Sequence, residues 1–214
     1  DNVREVSPHV FTAVPRVWEK IYSRISIMAS EATPLGKFAF AQAVKSGLKR
    51  VKAVEAGRPV PLGTRLSYAF WDFVVLRNLR RMLGFDRLRR GTSGAAPISP
   101  DLLRWLKAVG IVVLEGYGMT ESSGVISVNR LDRDKTGSVG PIVAGGEVRV
   151  AEDGEIQYRG PNVFAGYWNK PEKTAEAITE DGWLRTGDVG RVDEDGFLTI
   201  TGRVKDIIIT AGGK

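Results

Sequence analysis

A hydroxyl and a carboxylate stand side by side in the segment LEGYGMTESSG, which covers residues 114–124. A threonine hydroxyl such as that of Thr120 can donate a hydrogen bond to a phosphate oxygen. The carboxylate of Glu121 can hold Mg²⁺, which in turn bridges to phosphate oxygens. Gly116 and Gly118 lack side chains, so the backbone there can approach a bulky ligand closely. The alternative is structural: Thr120 caps a helix and Glu121 lies in its first turn.

Two further stretches carry residue types suited to nucleotide binding. The small side chains of SGAAP, residues 93–97, leave room for a planar base or a reacting carboxylate. A tight strand-to-helix connection would have the same composition. Asp188 in RTGDVG can accept hydrogen bonds from two hydroxyl groups. In the alternative interpretation Asp188 is an ordinary turn residue beside Gly187.

The composition excludes several kinds of catalytic site. The 214 residues contain no Cys, so disulfides, cysteine nucleophiles and thiolate metal sites are excluded. The only His is His9, and nothing around it suggests a Ser-His-Asp triad, so a surface position is expected. No apolar run is long enough to span a bilayer. These features are compatible with a cytoplasmic protein.

Positive charge is concentrated in one part of the chain. Residues 35–90 hold 13 Lys and Arg but 3 Asp and Glu, a net charge of +10. Such a block could face nucleic acid, an anionic membrane or phosphorylated ligands, or it could be a solvated face of basic helices. No nucleic-acid fold signature accompanies the block, and no aromatic residues are interleaved with its charges in a stacking pattern. Nucleic acid is therefore not an expected partner.

Helices and a buried strand are predicted for the first part of the chain. Apolar residues recur at helical spacing over 15–30, 38–51 and 64–83, and the third of these helices should stop at Gly84. Ser99 is a predicted N-cap for the helix in SPDLLRWLKAVG, and the apolar strand IVVLEGYG follows it. The order predicts an α/β layer over residues 1–128, with 35–90 as a basic helical insertion.

Strands are predicted for the rest. The pattern alternates around Asp153-Gly154 and again around Asp195-Gly196, which predicts two hairpins. Residues 129–202 are therefore expected to form a small β-barrel-like unit, with NKPEKTAEAI as a short helical excursion. An apolar strand followed by AGGK is an unusual end for a domain. Hence the chain is expected to be a fragment, in which 203–214 start a truncated further domain.

Four motifs in register resemble the adenylate-forming enzymes, which include acyl-CoA synthetases, luciferases and peptide-synthetase adenylation domains. They are VPRVWEKIY (14–22), SGAAP (93–97), EGYGMTE (115–121) and GWLRTGDVGRVDEDGFLTITGRVKDIIITAGGK (182–214). The chain is most similar to the long-chain fatty acyl-CoA synthetases. The resemblance implies part of the large N-terminal domain of such an enzyme. It also implies the activity: a fatty acid and ATP give acyl-AMP and pyrophosphate, and the acyl group then passes to coenzyme A.

The resemblance also assigns roles to individual residues. Thr120 and Glu121 are implied to be catalytic, with Glu121 holding Mg²⁺, and Tyr117 lies against the adenine. Asp188 and Arg203 are implied to contact the ribose, although Arg203 could instead form a surface salt bridge. The full set implied to bind ATP or AMP is Gly94, Ala95, Ala96, Pro97, Gly116, Tyr117, Gly118, Thr120, Asp188 and Arg203.

Further roles concern the acyl group and coenzyme A. The resemblance makes Trp18 the gate of a fatty acyl tunnel, whereas its place in the apolar stripe of a helix favours core packing. Lys205 corresponds to the hinge between two half-reactions. Gly212 and Gly213 resemble the loop that passes the pantetheine arm. An anionic membrane surface is a further expected partner, with the protein peripheral to it.

The resemblance also implies parts that these residues lack. The family's phosphate-binding loop would lie before residue 1, and its adenylation lysine would lie beyond Lys214. Two alternatives stay open. One is an adenylation domain for another carboxylate, such as an amino acid. The other is a non-enzymatic module that binds nucleic acid through its basic block.

Overall fold

The computed structural model describes residues 2–206. The chain folds into two compact units, Asp1–Leu114 and Glu115–Lys214. The limits predicted for the domains from the sequence stay predictions. The prediction that the last part, 203–214, begins a further domain falls largely outside the described residues.

The first unit is a mixed α/β structure, as predicted. Its strands β1 (Val10–Ala13) and β2 (Arg90–Ser93) pair in parallel, with Val10 opposite Arg90 and Ala13 opposite Ser93. Next to them, the backbone N–H of Gly91 donates to the carbonyl of Val112 at 2.7 Å. In chain order the elements are α1 (Asn2–Val6), β1 (Val10–Ala13), α2 (Pro15–Glu31), α3 (Pro34–Glu55), α4 (Leu62–Trp71), a π-helical turn (Asp72–Leu76), α5 (Arg77–Leu83), β2 (Arg90–Ser93), α6 (Pro100–Ala108) and the start of β3 (Val113–Met119).

The predicted helix at 64–83 is interrupted, which is a correction. A π-helical turn separates α4 from α5, and its first residue, Asp72, forms an ion pair with Arg80 at 2.7 Å. A π turn holds one residue more than an α turn, so it rotates the following residues around the helix axis. Gly84 ends the segment as predicted, with a φ of +78° that favours glycine. Ser99 precedes α6 as predicted, but its side chain makes no capping hydrogen bond.

The core of the first unit joins the helices to the strands. Its members include the fully buried Trp18, Leu76 and Leu106. Helices α3 and α6 cross closely at Gly47, where an added Cβ would overlap the backbone of Ala108. The amphipathic spacing seen in the sequence therefore corresponds to faces buried in one contiguous core.

The second unit consists mainly of antiparallel strands. Strand β3 pairs with β4 (Gly124–Val128). The later elements are β5 (Gly140–Pro141), β6 (Glu147–Val150), β7 (Glu155–Arg159), α7 (Pro171–Ala177), β8 (Leu184–Val192) and β9 (Phe197–Arg203). The five strands form one sheet in the order β5-β9-β8-β7-β6. Both predicted hairpins are present, with positive φ at Gly154 and Gly196.

The barrel-like closure predicted for residues 129–202 is not found among the described strands. The order of the five strands leaves β5 and β6 as edges, so the sheet is open. Strand β5 has two residues, which is too short to carry a closing ladder. The sheet buries a small core around Ile156, Tyr158 and Leu198.

None of the described helices combines the length and the apolar character needed to cross a membrane.

Candidate functional site

The Thr-Glu pair lies in a tight reversal between β3 and β4. Residues Thr120–Ser122 form one 3₁₀ turn, and Ser123 follows with a φ of +49°. The buried hydroxyl of Ser122 accepts a hydrogen bond from the N–H of Met119 at 3.1 Å and lies 2.9 Å from the carbonyl oxygen of Met119. No α-helix starts here, because β4 begins at Gly124. The alternative in which Thr120 caps a helix is therefore wrong.

The glycines before the pair serve the hairpin itself. An added Cβ at Gly118 would overlap the backbone of Gly124, so the two strands approach too closely there for any side chain. Gly116 has more room, since an added Cβ would lie 3.4 Å from Val128. The requirement for glycine at 118 thus comes from the close strand pairing. Contact of either glycine with a ligand stays a prediction.

An open cleft of about 450 Å³ lies at the end of this hairpin, lined by Gly118, Met119, Thr120, Ser123 and Gly124. Thr120 is exposed, so its hydroxyl is accessible from solvent. A hydroxyl beside glycine-rich backbone can donate hydrogen bonds to an anionic group.

Glu121 is held in position by a loop from later in the chain. The hydroxyl of Tyr167 donates to its carboxylate at 2.5 Å, and the N–H of Phe164 donates to its backbone carbonyl at 2.8 Å. The N–H of Tyr167 in turn donates to the hydroxyl of Thr174 at 2.9 Å. The hydrogen bond to Glu121 raises the pKa of Tyr167 above its ordinary value. One oxygen of the Glu121 carboxylate is thus fixed by a neutral donor.

Tyr167 was not found by the sequence reasoning. It lies in the segment FAGYWNKP, 46 residues after Glu121 and just before the predicted short helix NKPEKTAEAI. The aromatic pair Tyr167-Trp168, of which Trp168 is 88% exposed, was the available signal.

Tyr117, Asp188 and Arg203 meet in the second unit. The hydroxyl of Tyr117 donates to Asp188 Oδ2 at 2.7 Å, and Arg203 Nε lies 3.4 Å from Asp188 Oδ1. Burial, followed by the hydrogen bond to Asp188, raises the pKa of Tyr117 well above its usual range. Asp188 and Arg203 face each other across β8 and β9, so the backbone pairing itself brings these side chains together. Asp188 is therefore a strand residue, and its interpretation as a turn residue is wrong.

The part of β8 just before Asp188 is fixed by buried polar groups. The hydroxyl of Thr186 donates to the carbonyl of Ile156 at 2.6 Å and accepts from the N–H of Asp188 at 3.2 Å. The N–H of Gly187 donates to the carboxylate of Glu155 at 2.9 Å. A carboxylate with a fixed backbone and two polar neighbours is suited to accept hydrogen bonds from a polyhydroxylated ligand.

Gly94, Ala95, Ala96 and Pro97 lie in the first unit, in the loop between β2 and α6. Ala95 has a φ of +68°, a backbone conformation that residues other than glycine rarely adopt. Such strain is often found at functional sites. The side chains of Ala95, Ala96 and Pro97 are exposed.

Trp18 lies fully buried in the core of the first unit. Its ring packs edge-on against Phe11 at a centroid distance of 5.4 Å, and Gly91 leaves the space that its indole fills. Among residues 2–206, no hydrogen-bond partner is found for its indole N–H. The core position predicted for Trp18 is confirmed, whereas its role as an acyl gate stays a prediction.

The remaining residues singled out in the sequence lie away from the contacts described above or outside the described residues. His9 is exposed, as expected, and its Nε2 lies 3.3 Å from Arg87. Lys205 is exposed just after β9. Gly212 and Gly213 lie outside the described residues. A separate groove of about 600 Å³ in the first unit contains none of the predicted site residues and is lined by Phe40, Ala41, Val44, Lys45, Leu48, Lys49, Lys52 and Trp105.

The known proteins with similar sequences and structures include several CoA ligases. Over 207 residues the chain is 44% identical to the long-chain-fatty-acid–CoA ligase FadD15 of Mycobacterium tuberculosis, covering 97% of this chain and 34% of that protein. It is 36% identical to ATP-bound MatB from Rhodopseudomonas palustris, with a TM-score of 0.55 over 64% of this chain and 30% of the other. A malonyl-CoA ligase with bound methylmalonyl-CoA and AMP gives 29% identity and a TM-score of 0.58, over 94% of this chain and 35% of the other.

The chain thus spans about a third of the length of the curated relatives it matches. Residues 1–168 also match the sequence model that describes the AMP-binding enzymes. That match covers well over half of the chain and includes the Thr-Glu pair, Tyr117 and the SGAAP loop. This chain therefore belongs to the AMP-binding enzyme family.

Proposed function

We propose that this chain is the part of an ATP-dependent long-chain fatty acid–CoA ligase that binds the nucleotide. In the first half-reaction a fatty acid carboxylate attacks the α-phosphate of ATP, giving acyl-AMP and releasing pyrophosphate. In the second, the thiol of coenzyme A attacks the acyl carbon and AMP leaves. The observation that carries the proposal is that the second unit fixes two carboxylates, Asp188 by Tyr117 and Arg203 and Glu121 by Tyr167. The names of the relatives support it.

The nucleotide is proposed to meet three groups of the second unit. Asp188 accepts hydrogen bonds from the ribose hydroxyls, because its backbone is fixed and its carboxylate already lies between Tyr117 and Arg203. The ring of Tyr117 lies against the adenine. The exposed hydroxyl of Thr120 donates to a phosphate oxygen.

Glu121 fits a role in holding Mg²⁺. Among residues 2–206 no group of three or more candidate metal ligands exists, so a metal here would have few protein ligands. Mg²⁺ is commonly held by one or two carboxylates together with substrate phosphates, which matches a lone, fixed glutamate. The bound ion would neutralise charge on the phosphates, which must otherwise repel the attacking carboxylate.

The fatty acid is the proposed substrate because the relatives are named for long-chain fatty acids. Trp18, whose indole N–H is buried without a partner, is the proposed gate, since a change of its rotamer could give that donor a partner. Amino-acid adenylation receives no support from the names of the relatives, and nucleic-acid binding receives none from the family match. A cytoplasmic location stays a prediction.

The test is ATP–pyrophosphate exchange by the full-length protein with fatty acids of several lengths and with amino acids. Exchange should depend on a long-chain fatty acid. Glu121→Gln should lower the exchange rate by on the order of 10², the scale of losing one preorganised electrostatic contact. Glu172→Gln, at an exposed position in α7, is the matched control and should leave the rate unchanged. Exchange driven by amino acids alone, or full activity of Glu121→Gln, would refute the proposal.

A further inference from the structure

The segment from α4 through the π turn to α5 presents large apolar side chains to solvent. Leu62, Leu66, Phe70 and Phe73 are 68%, 64%, 58% and 70% exposed. They recur every three or four residues, so α4 and the first part of the π turn carry them as one line. From Leu62 to Phe73 this line is roughly 16 Å long at about 1.5 Å per residue. We refer to these four residues as the apolar stripe.

The opposite face of the same segment carries polar groups. Asp72 and Arg80 form their ion pair there, and Arg80 also donates to the carbonyl of Val109 at 3.0 Å. The hydroxyl of Ser46 in α3 donates to that of Ser67 at 3.2 Å, and Arg50 lies 4.8 Å from the ring centroid of Tyr68.

The segment buries Leu76, Leu79 and Leu83 in the core, but the exposed side of α4 departs from the usual pattern. A surface helix normally buries its large apolar residues and exposes its charges. Here part of the buried side is polar, and the outward side is apolar along three turns. Contiguous apolar surface of this kind marks an interaction site.

The charges around the apolar stripe indicate its partner. Between residues 62 and 83, all of which the structure describes, the exposed charged side chains are Arg65, Arg77 and Arg81, and no exposed side chain is acidic. Arg77 and Arg81 lie in α5, which follows the π turn directly. The surrounding residues 35–90 have a net charge of +10. An apolar line with arginines beside it fits an apolar layer that lies beneath anionic head groups.

We propose that the apolar stripe docks onto the surface of an anionic lipid bilayer. The side chains of Phe70 and Phe73 enter the boundary between head groups and acyl chains, and the helix lies parallel to the surface. Arg65, Arg77 and Arg81 extend their apolar stems along the bilayer and place their guanidinium groups at the lipid phosphates. This inference does not depend on the proposed enzymatic activity, because it concerns lipid binding alone.

The test is flotation of the full-length protein with phosphatidylcholine vesicles that contain or lack phosphatidylserine. The wild-type protein should float with the phosphatidylserine vesicles, and raising the salt concentration should weaken this binding, because exposed charges are screened over roughly 10 Å at about 0.1 M. The double variant Phe70→Ser/Phe73→Ser should bind at least about tenfold more weakly. Arg65→Glu/Arg77→Glu should lose roughly fivefold or more per arginine.

The matched control is Ile27→Ser/Leu131→Ser, which removes two apolar side chains of similar exposure outside the stripe. This control should bind like the wild type. Equal losses in the control and the phenylalanine variant would overturn the proposal, as would absence of wild-type binding at low salt. Two other occupants of the apolar stripe would give different results. If the wild-type protein does not bind vesicles and the phenylalanine variant melts at a lower temperature, another segment of this protein covers the apolar stripe. If sedimentation velocity shows a dimer for the wild type and a monomer for that variant, a second copy of the protein covers the apolar stripe.

Discussion

At the scale of single residues, the contact of Tyr167 with Glu121 leads to a direct prediction. Tyr167→Phe removes the hydrogen bond of 2.5 Å and keeps the ring, which packs edge-on against Phe164 at 4.9 Å. Partners that orient a metal ligand typically affect metal affinity by about 10–100-fold. We therefore expect the variant to need about tenfold more Mg²⁺ for half-maximal pyrophosphate exchange.

The measurement is a Mg²⁺ titration of the exchange rate in the full-length protein. Trp168→Phe is the control, because its side chain is exposed next to Tyr167 and makes none of these hydrogen bonds. Saturating Mg²⁺ should restore most of the rate in Tyr167→Phe if the tyrosine positions the glutamate. A reduced rate with unchanged Mg²⁺ dependence would contradict a positioning role.

The sequence predicted parts of this site to different degrees. Thr120 and Glu121 are adjacent in the chain, so their proximity needs no tertiary information. The meeting of Asp188 with Tyr117 spans 71 residues and depends on how β8 is placed beside β3. The contact of Tyr167 with Glu121 likewise depends on the path of the loop that carries Tyr167. Local patterns report residue types and periods, whereas such contacts follow from the packing of distant segments.

At the scale of elements, the crossing of α3 and α6 depends on one glycine. An added Cβ at Gly47 would overlap the backbone of Ala108, and backbone cannot move aside as a flexible side chain can. Gly47→Ala should lower the free energy of unfolding by roughly 1–3 kcal/mol. Gly63→Ala in α4 is the control: an added Cβ meets nothing within 4 Å there, so stability should rise by about 0.4–1 kcal/mol.

Chemical denaturation of both variants, followed by circular dichroism, checks this pair. A higher unfolding midpoint for Gly47→Ala than for the wild type would show that the helices separate without penalty and would contradict the close crossing. Helix α3 was predicted from its periodicity, but no sequence pattern distinguishes Gly47 from Gly63. The distinction comes from what lies opposite each glycine.

The interruption of the predicted helix at 64–83 shows the same limit at this scale. Apolar periodicity locates the segment and Gly84 marks its end, but nothing in that periodicity indicates the π turn at Asp72–Leu76. The hairpins were predictable because Asp-Gly turns are local signals. The open sheet was not, because closure depends on the lengths and pairing of edge strands.

At the scale of the whole molecule, the chain corresponds to about a third of the length of its relatives. A ligase with two half-reactions must present different groups to the adenylate in each. Lys205, which follows β9 directly and is exposed, is the proposed hinge for that change. A hinge residue must change its backbone dihedrals, whereas its side chain need not take part.

Lys205→Pro tests this hinge because proline fixes its own φ and restricts the residue before it. Adenylation, measured by pyrophosphate exchange, should change little if the variant keeps the conformation for the first half-reaction. Thioester formation, measured from acyl-AMP and coenzyme A, should fall by on the order of 10², because small misplacements of reacting groups have effects of that size. Lys205→Ala removes the charge but leaves the backbone free, so both half-reactions should stay close to wild type. Equal losses of the two half-reactions in Lys205→Pro would contradict the hinge, and a loss in Lys205→Ala of the same size would assign the effect to the ammonium group instead.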